Sequence, residues 1–500
     1  MTPSRIHHLV DRNAQARPNA RAIMDCDGHV YSWGAYAKLT VEAANLLTKN
    51  GVSKGDRVLI VGENCLSMPV LINAASRIGA WAVPVNARMS AAEIERIRGH
   101  AKPALVAYTS HVSAEAAAHA GDATPCPTGF GALHLAQGSP DPEPAEDTAE
   151  DPAILLYTTG TTGDPKGVML SHANLLFAAK ASCDLRDLTD ADHIYGGLPL
   201  THVFGVASMM MAAAHCGAMI QLATRFDPAK LLEALQSGTT VLPAVPQMHA
   251  LLMAHAEKLG LTRLDNAPLR YVSSGAAPLD PAWKRKAEAF YGLALQNGYG
   301  MTESSAGICG TRNMIGDPDI SVGPPLPGCE IKLDLSLGAD SDVGEVLTRG
   351  PHVMKGYFRN PDVTAQTVQD GWLRTGDLGR IDEHGHLHIV GRAKELIIRG
   401  GFNVYPPEVE AALNDHPDVV QSAVIGRTIN GDEEVLAFVQ PRAVDVVTPE
   451  DLRGFVAGRL TGYKRPTRIF VVDSLPAAAT GKILKHRFIE HFADLLSETV

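Results

Sequence analysis

The sequence predicts an α/β protein: a large N-terminal domain of two α/β subdomains plus a small β-rich subdomain, followed by an α+β C-terminal domain. Three observations carry that expectation. Over the first 110 residues, helical patterns (SWGAYAKLTVEAANLLTKNG, AAEIERIRGHA) alternate with short apolar strands (RVLIVG, WAVPV, ALVAYT), which indicates a parallel sheet covered by helices. A second α/β stretch begins after Asp151, with strand candidates ILLYTT, TVLPAV and LRYVSSG. From Gly323 to about Leu387 the text turns to short strands with many turns (GCEIKL, GEVLTRG, HLHIVG), and the last hundred or so residues have a compact α+β pattern.

Each element has its reason in the residues. The N-terminus, MTPSRIHHLVDRNAQARP, lacks the apolar core of a signal peptide and reads as an amphipathic helix. Residues 138–151 (GSPDPEPAEDTAED) are acidic and proline-rich, the composition of a solvated surface loop. Pro199 to Thr224 contains no Asp, Glu, Lys or Arg, and about 20 apolar residues would span a bilayer. His202, Gly205, Ser208, His215, Gly217 and Gln221 interrupt the run, so it reads as a buried helix followed by a short strand, AMIQLA. The C-terminal region predicts ELIIRGG as a strand, a helix started by Pro406-Pro407-Glu408, strands SAVIG and EVLAFVQP, a helix from Thr448, a strand RIFVVD and a final helix. There is no internal repeat.

Bulk properties narrow the function classes. Five hundred residues exceed what one hydrophobic core serves, and 45% hydrophobic with 20% charged residues is a globular composition. A net charge of −11 argues against a general nucleic-acid binder, which needs a basic face. The seven cysteines (Cys26, Cys65, Cys126, Cys183, Cys216, Cys309, Cys329) are odd in number, scattered, and never in a CxxC pair. That is the usage of reduced thiols in a cytoplasmic protein, not of a disulfide framework or zinc site.

The most informative run is TTGTTGDPKGV, residues 158–168, after the apolar strand ILLY. Thr158, Thr159, Gly160, Thr161, Thr162, Gly163 and Lys166 combine close backbone approach, hydroxyls and a cation, which suits a polyphosphate. A Walker A loop needs G-x-x-x-x-G-K-[ST]; here Pro165 precedes the lysine and Gly167 follows it, so that pattern fails. An ordinary glycine-rich turn is the plainer alternative. Next comes SSGAAPL, Ser273–Leu279, a run of small residues after a strand; alone it is a common turn. NGYGMTE then offers Tyr299 for stacking, Thr302 for a phosphate hydrogen bond and Glu303 as a hard oxygen ligand for Mg²⁺, although an isolated Glu is usually a solvated charge. Thr375-Gly376-Asp377 and Gly391-Arg392 supply an acceptor for ribose hydroxyls and a guanidinium for ribose or phosphate; their plainer readings are a turn and a salt-bridge partner.

Taken in this order, the motifs resemble those of the adenylate-forming superfamily: acyl-CoA synthetases, peptide-synthetase adenylation domains and luciferases. The resemblance runs from about residue 5 to residue 490, with no family motif in residues 100–150. It implies an N-terminal adenylation domain, residues 1–393, and a mobile C-terminal domain, residues 394–500, hinged at Lys394. It implies ATP and Mg²⁺ at Thr158, Thr159, Gly160, Thr161, Thr162, Gly163, Gly275, Ala276, Ala277, Asn297, Gly298, Tyr299, Thr302, Asp377 and Arg392, with the metal on Glu303 and Thr158. Lys482, in PAAATGK, matches the lysine that neutralises charge at the α-phosphate during adenylation. Gly400 and Gly401 would line the pantetheine tunnel for coenzyme A. In LPLTHVFG, His202 matches a position beside the acid carboxylate, and Phe204, Gly205, Ser274, Gly275, Gly298 and Met301 would border the acyl group.

The implied reaction is ATP-dependent acyl-adenylate formation followed by transfer to CoA. Thr201-His202 replaces the aspartate of amino-acid-activating domains, and Gly298 replaces the arginine of malonyl-CoA synthetases, which points to a monocarboxylic acid. Small residues at the pocket favour a medium- or long-chain fatty acid, with aryl acids next. Alternatives that keep part of the pattern are a stand-alone enzyme loading a carrier protein, a luciferase, and a non-catalytic nucleotide-binding protein. A homodimer and a lysine acetyltransferase acting on Lys482 are partners that the resemblance admits.

Overall fold

The computed structural model describes residues 3–159, 165–276, 279–337, 342–429, 432–443, 446–477 and 483–497. Within them the large N-terminal domain holds two eight-stranded sheets and a five-stranded one. The first large sheet centres on Arg57–Gly62, flanked in parallel by Trp81–Asn86 and Leu105–Tyr108. All six residues of Arg57–Gly62 are buried, as expected of a strand covered by helices on both faces. Pro152–Thr159 continues this sheet and turns back as Pro165–Ser171, and the short strand Gly356–Tyr357 closes its edge.

The second large sheet runs Ala306–Gly310, Leu295–Met301, Tyr271–Gly275, Val241–Ala244, His193–Gly196, Met219–Leu222, Arg21–Met24, Val30–Ser32. Its central strands are parallel, so Gly275 and Met301 lie at carboxyl ends, where open α/β sheets hold their ligands. The strand Met219–Leu222 is the expected AMIQLA element, and the apolar run before it is a buried helical segment with a π-helical stretch, Val206–Met211. Among the described residues, no helix is long and apolar enough to cross a membrane.

The five-stranded antiparallel sheet is the expected β-rich region, built from Glu330–Asp334, Gly344–Arg349, Val368–Gln369, Trp372–Ile381 and Leu387–Arg392. The smaller C-terminal domain carries the hairpin Ile397–Arg399/Phe402–Val404 and a sheet of Val419–Ile429, Asp432–Pro441 and Arg468–Val471. Its helix Pro406–Asn414 starts on two prolines, and Thr448 caps Pro449–Ala457 through a capping box, both as the sequence predicts.

The acidic loop differs from its expectation. Residues 138–151 are irregular, but they are strapped down instead of simply solvated. Asp141 pairs with Lys102 at 3.1 Å and Arg359 at 2.8 Å, Glu143 with Arg359 at 2.8 Å, and Asp147 with Arg5. Arg57 also donates to the Asp141 carbonyl, and at Gly55, where φ is +81°, a side chain would collide with the Glu143 carbonyl. Composition shows the acidity; only the fold supplies the facing cations.

Candidate active site

Two clusters of polar side chains form where the sheets' carboxyl ends meet the antiparallel sheet. In the first, the strand register sets Asp377 directly opposite Arg392. Arg392 Nε lies 3.1 Å from Asp377 Oδ1, and the Tyr299 hydroxyl donates to Oδ2 at 2.6 Å. Asp377 is buried, and its backbone N–H donates to Thr375 Oγ1, whose hydroxyl in turn reaches the Val346 carbonyl. Burial, and then the neighbouring Asp377, push the Tyr299 hydroxyl far above its ordinary pKa, so it stays a donor. Burial opposes the Arg392 charge, yet Asp377, Glu395 and Glu303 raise its pKa overall.

The second cluster surrounds Glu303, buried in a 3₁₀ turn, Thr302–Ser304, at the end of strand Leu295–Met301. A tight return makes this turn possible: at Gly300 any side chain would overlap the Ala306 carbonyl. The Tyr357 hydroxyl donates to Glu303 Oε1 at 2.9 Å, and Lys166 Nζ lies 5.2 Å from the centre of the Tyr357 ring. Lys166 is the register partner of Thr158 across the hairpin. Thr161, Thr162, Gly160 and Gly163 lie outside the described residues, as does Ala277.

Between the clusters, Gly275 pairs with Gly298 in adjacent strands, and a side chain at Gly275 would meet the Phe204 ring at 3.1 Å. Ala276 has φ +68°, a left-handed conformation costing a non-glycine residue on the order of 1 kcal/mol. Ser274 is buried with its hydroxyl unpartnered among the described residues. His202 caps the short helix Val203–Gly205, its Nδ1 accepting from the Phe204 N–H, and a side chain at Gly205 would strike the Pro199 carbonyl. Asn297 has a supporting place: its amide donates to the Ser321 carbonyl and accepts from the Gly298 N–H. Met301 packs at the edge of the main core.

A cavity of about 330 Å³ opens at Thr201, lined on its apolar side by Leu198, Pro199, Val245, Met248 and Leu251; of the expected acyl-pocket residues, none of His202, Phe204, Gly205, Ser274, Gly275, Gly298 and Met301 lines it. Its polar side holds Glu63 with Arg88 at 3.4 Å and Arg225 in a two-pronged pair at 3.0 and 3.1 Å. Ala477 of the C-terminal domain also lines it. Ala477 bridges Ile483, and Leu484 N–H donates to the Pro476 carbonyl at 2.8 Å, closing the base of the segment that contains Lys482. Lys482 itself lies outside the described residues.

The AMP-binding enzyme family matches residues 10–358, and the AMP-binding enzyme C-terminal domain matches residues 408–482. The chain belongs to this adenylate-forming family. It is 33% identical to 4-coumarate–CoA ligase 5 of Oryza sativa subsp. japonica, over 96% of this chain and 92% of that protein. It is 32% identical to a feruloyl-CoA synthase of Amycolatopsis, over 95% and 96%. Among solved structures it superposes on ATP-bound MatB from Rhodopseudomonas palustris with a TM-score of 0.84 at 31% identity, covering 98% and 99% of the two chains. A Bacillus subtilis o-succinylbenzoate CoA synthetase, solved with ATP and magnesium ion, has the same fold. The AMP-binding enzyme described here is an acid–thiol ligase of the acyl-CoA synthetase type, using ATP, Mg²⁺ and CoA.

The donor set of this ligase fits such a metal. No group of three or more His, Cys, Asp or Glu side chains gathers among the described residues. Glu303 offers one buried carboxylate whose Oε2 has no partner among them. Mg²⁺ bound through one carboxylate, phosphate oxygens and water needs no more protein ligands.

Two residues at the ligase site escape sequence reasoning. Tyr357 sits in an unremarkable KGYFRN run and reaches Glu303 only through sheet pairing. Lys485 bonds Glu410 at 2.7 Å and Glu395 at 3.3 Å, tying the segment after Lys482 to the turn Ala393–Glu395 that holds Lys394. Gly400 and Gly401 stand on an exposed hairpin turn with φ of +57° and +79° and open space beside both.

Proposed function

We propose that this ligase activates an aromatic monocarboxylic acid of cinnamate size as its acyl-adenylate and transfers the acyl group to CoA. The observation that carries the proposal is the cavity at Thr201, the residue before His202, apolar on one wall and with both guanidinium groups of its other wall on Glu63. Cations already matched by a carboxylate are poorly placed to hold a second acid group of a substrate. Its volume is at the small end for ligand pockets, which suits one ring better than a long chain. Relatives matching nearly the whole chain are named for coumarate, ferulate and indoleacetate, whereas a long-chain-fatty-acid–CoA ligase of Bacillus subtilis aligns with 69% of it.

In this reading Tyr299, Asp377 and Arg392 hold the nucleoside, with Asp377 accepting from ribose hydroxyls, while Gly275, Ala276 and Gly298 wall the base. Thr158 through Gly163, Lys166 and Thr302 take the phosphates, and Glu303 with Thr158 would hold Mg²⁺. The metal would neutralise phosphate charge. The acid's carboxylate oxygen, oriented from His202, attacks the α-phosphorus and pyrophosphate leaves; Lys482 stabilises the charge that grows on the α-phosphate. The deprotonated CoA sulfur then attacks the acyl carbonyl carbon, and AMP leaves. The hinge lies at Lys394, dividing residues 1–393 from 394–500. Ala477 at the cavity suits adenylation, and the exposed Ile398 and Phe402 around Gly400-Gly401 suit a second docking face for thioester formation.

A panel of acetate, octanoate, palmitate, benzoate, cinnamate, 4-coumarate and malonate, with AMP formation measured with and without CoA, tests the proposal. AMP released with CoA and the aryl acids at a kcat/KM at least tenfold above palmitate is the expected result. Preference for octanoate or palmitate would replace the aromatic reading by the fatty-acid one.

A further inference from the structure

We propose that Tyr357 is a positioning residue for the metal-binding carboxylate, an inference that rests on assigning Mg²⁺ to Glu303. The segment 354–358 grips the site at both ends. Met354 N–H donates to the Glu303 carbonyl at 2.9 Å, so the same short stretch that bonds the carboxylate also bonds that residue's backbone. On the other side, Lys355 N–H reaches the Met169 carbonyl and Phe358 N–H the Gly167 carbonyl, which fixes the segment against the strand beginning at Pro165. Thr364 Oγ1 accepts from Tyr357 N–H at 2.9 Å, so the tyrosine's backbone is held as well as its ring.

Tyr357 therefore joins two parts of the site that are distant in sequence. Its hydroxyl occupies Glu303 Oε1, and its ring lies beneath the Lys166 ammonium. The bond to one carboxylate oxygen favours this orientation of the group and leaves the other oxygen for a metal. The Tyr357 hydroxyl is the donor of this bond, at 2.9 Å. A donor of this kind draws some charge from the carboxylate, but outer partners of metal-ligating carboxylates raise affinity by fixing orientation, and losing one typically weakens metal binding by about 10- to 100-fold.

The experiment compares wild type, Tyr357→Phe and Glu303→Gln by Mn²⁺ electron paramagnetic resonance with ATP present, which reads metal binding without turnover. Tyr357→Phe keeps the ring beneath Lys166 and removes only the hydroxyl. The inference predicts roughly tenfold weaker Mn²⁺ binding, with adenylation recovered by raising Mg²⁺ and thioester formation from supplied acyl-adenylate unchanged. Wild-type Mn²⁺ binding in Tyr357→Phe, with binding lost in Glu303→Gln, would overturn it and leave Tyr357 a packing residue. A lowered melting temperature without any change in metal dependence would overturn it too. Undiminished binding in Glu303→Gln would instead remove the metal assignment beneath it.

Discussion

At the scale of single residues, the polar atoms of the candidate site are held by other polar atoms of the protein. Asp377 is fixed by Arg392, Tyr299 and Thr375, and Glu303 by Tyr357 and Met354. The same economy appears away from the site in histidines buried without charge. His249 bonds Tyr291 Oη at 2.8 Å and the Ser273 carbonyl at 3.2 Å, directly behind the Ser274-Gly275 turn, and burial lowers its pKa to about 4. His352 is likewise lowered to about 4 by burial. Because these folded values lie below the unfolded value near 6.5, the unfolded chain binds more protons between pH 6.5 and 4. Stability is then complete above pH 6.5 and declines as pH falls, by about 2 kcal/mol per histidine at pH 5. Urea unfolding at pH 7.5 and 5 should show this loss, and His249→Gln should show a smaller difference between the two pH values than wild type. An equal difference would mean that His249 titrates normally in the folded protein. Single residues were only partly legible. Asp377, Arg392, Glu303 and Lys166 sit in compact motifs whose composition announces chemistry, whereas Tyr357 acquires its place from a two-residue strand pairing that no local pattern encodes.

At the scale of elements, hydrophobic periodicity and turn chemistry predicted many strands and helices, because many strands end at Gly, Pro or Asp and several helices carry their own caps. Ser90, Ser171 and Thr448 all make reciprocal capping boxes. The acidic loop shows where that reasoning stops. Its charges read as solvation, yet Arg359 binds both Asp141 and Glu143 while stacking over Phe358, one residue from Tyr357. Individual surface ion pairs contribute about 0–1 kcal/mol, but several converge on this loop. Arg359→Ala combined with Lys102→Ala should therefore release it: protease cleavage after Glu146 should become at least tenfold faster, with the core sheets intact by circular dichroism. Cleavage at the wild-type rate would show that the backbone contacts of Arg57 and Gly55 hold the loop alone.

At the scale of the whole molecule, the large N-terminal and small C-terminal domains were legible, with the β-rich region marked by the change in pattern near Gly323. Which part of the C-terminal domain meets the candidate site was not, because two of its motifs, one with Lys482 and one with Gly400-Gly401, match the family. The structure places Ala477 against the cavity at Thr201 and leaves Ile398 and Phe402 exposed. Our proposal of two half-reactions at one N-terminal site rests on the family resemblance, and this asymmetry supports it. Its most direct test measures ATP–pyrophosphate exchange and thioester formation from supplied acyl-adenylate, in wild type and in Lys482→Met. We predict acid-dependent exchange without CoA in wild type, a loss of about 10²–10³ in Lys482→Met, and thioester formation within threefold of wild type in that variant. Equal loss of both half-reactions in Lys482→Met, or ADP in place of AMP as the wild-type product, would contradict the account.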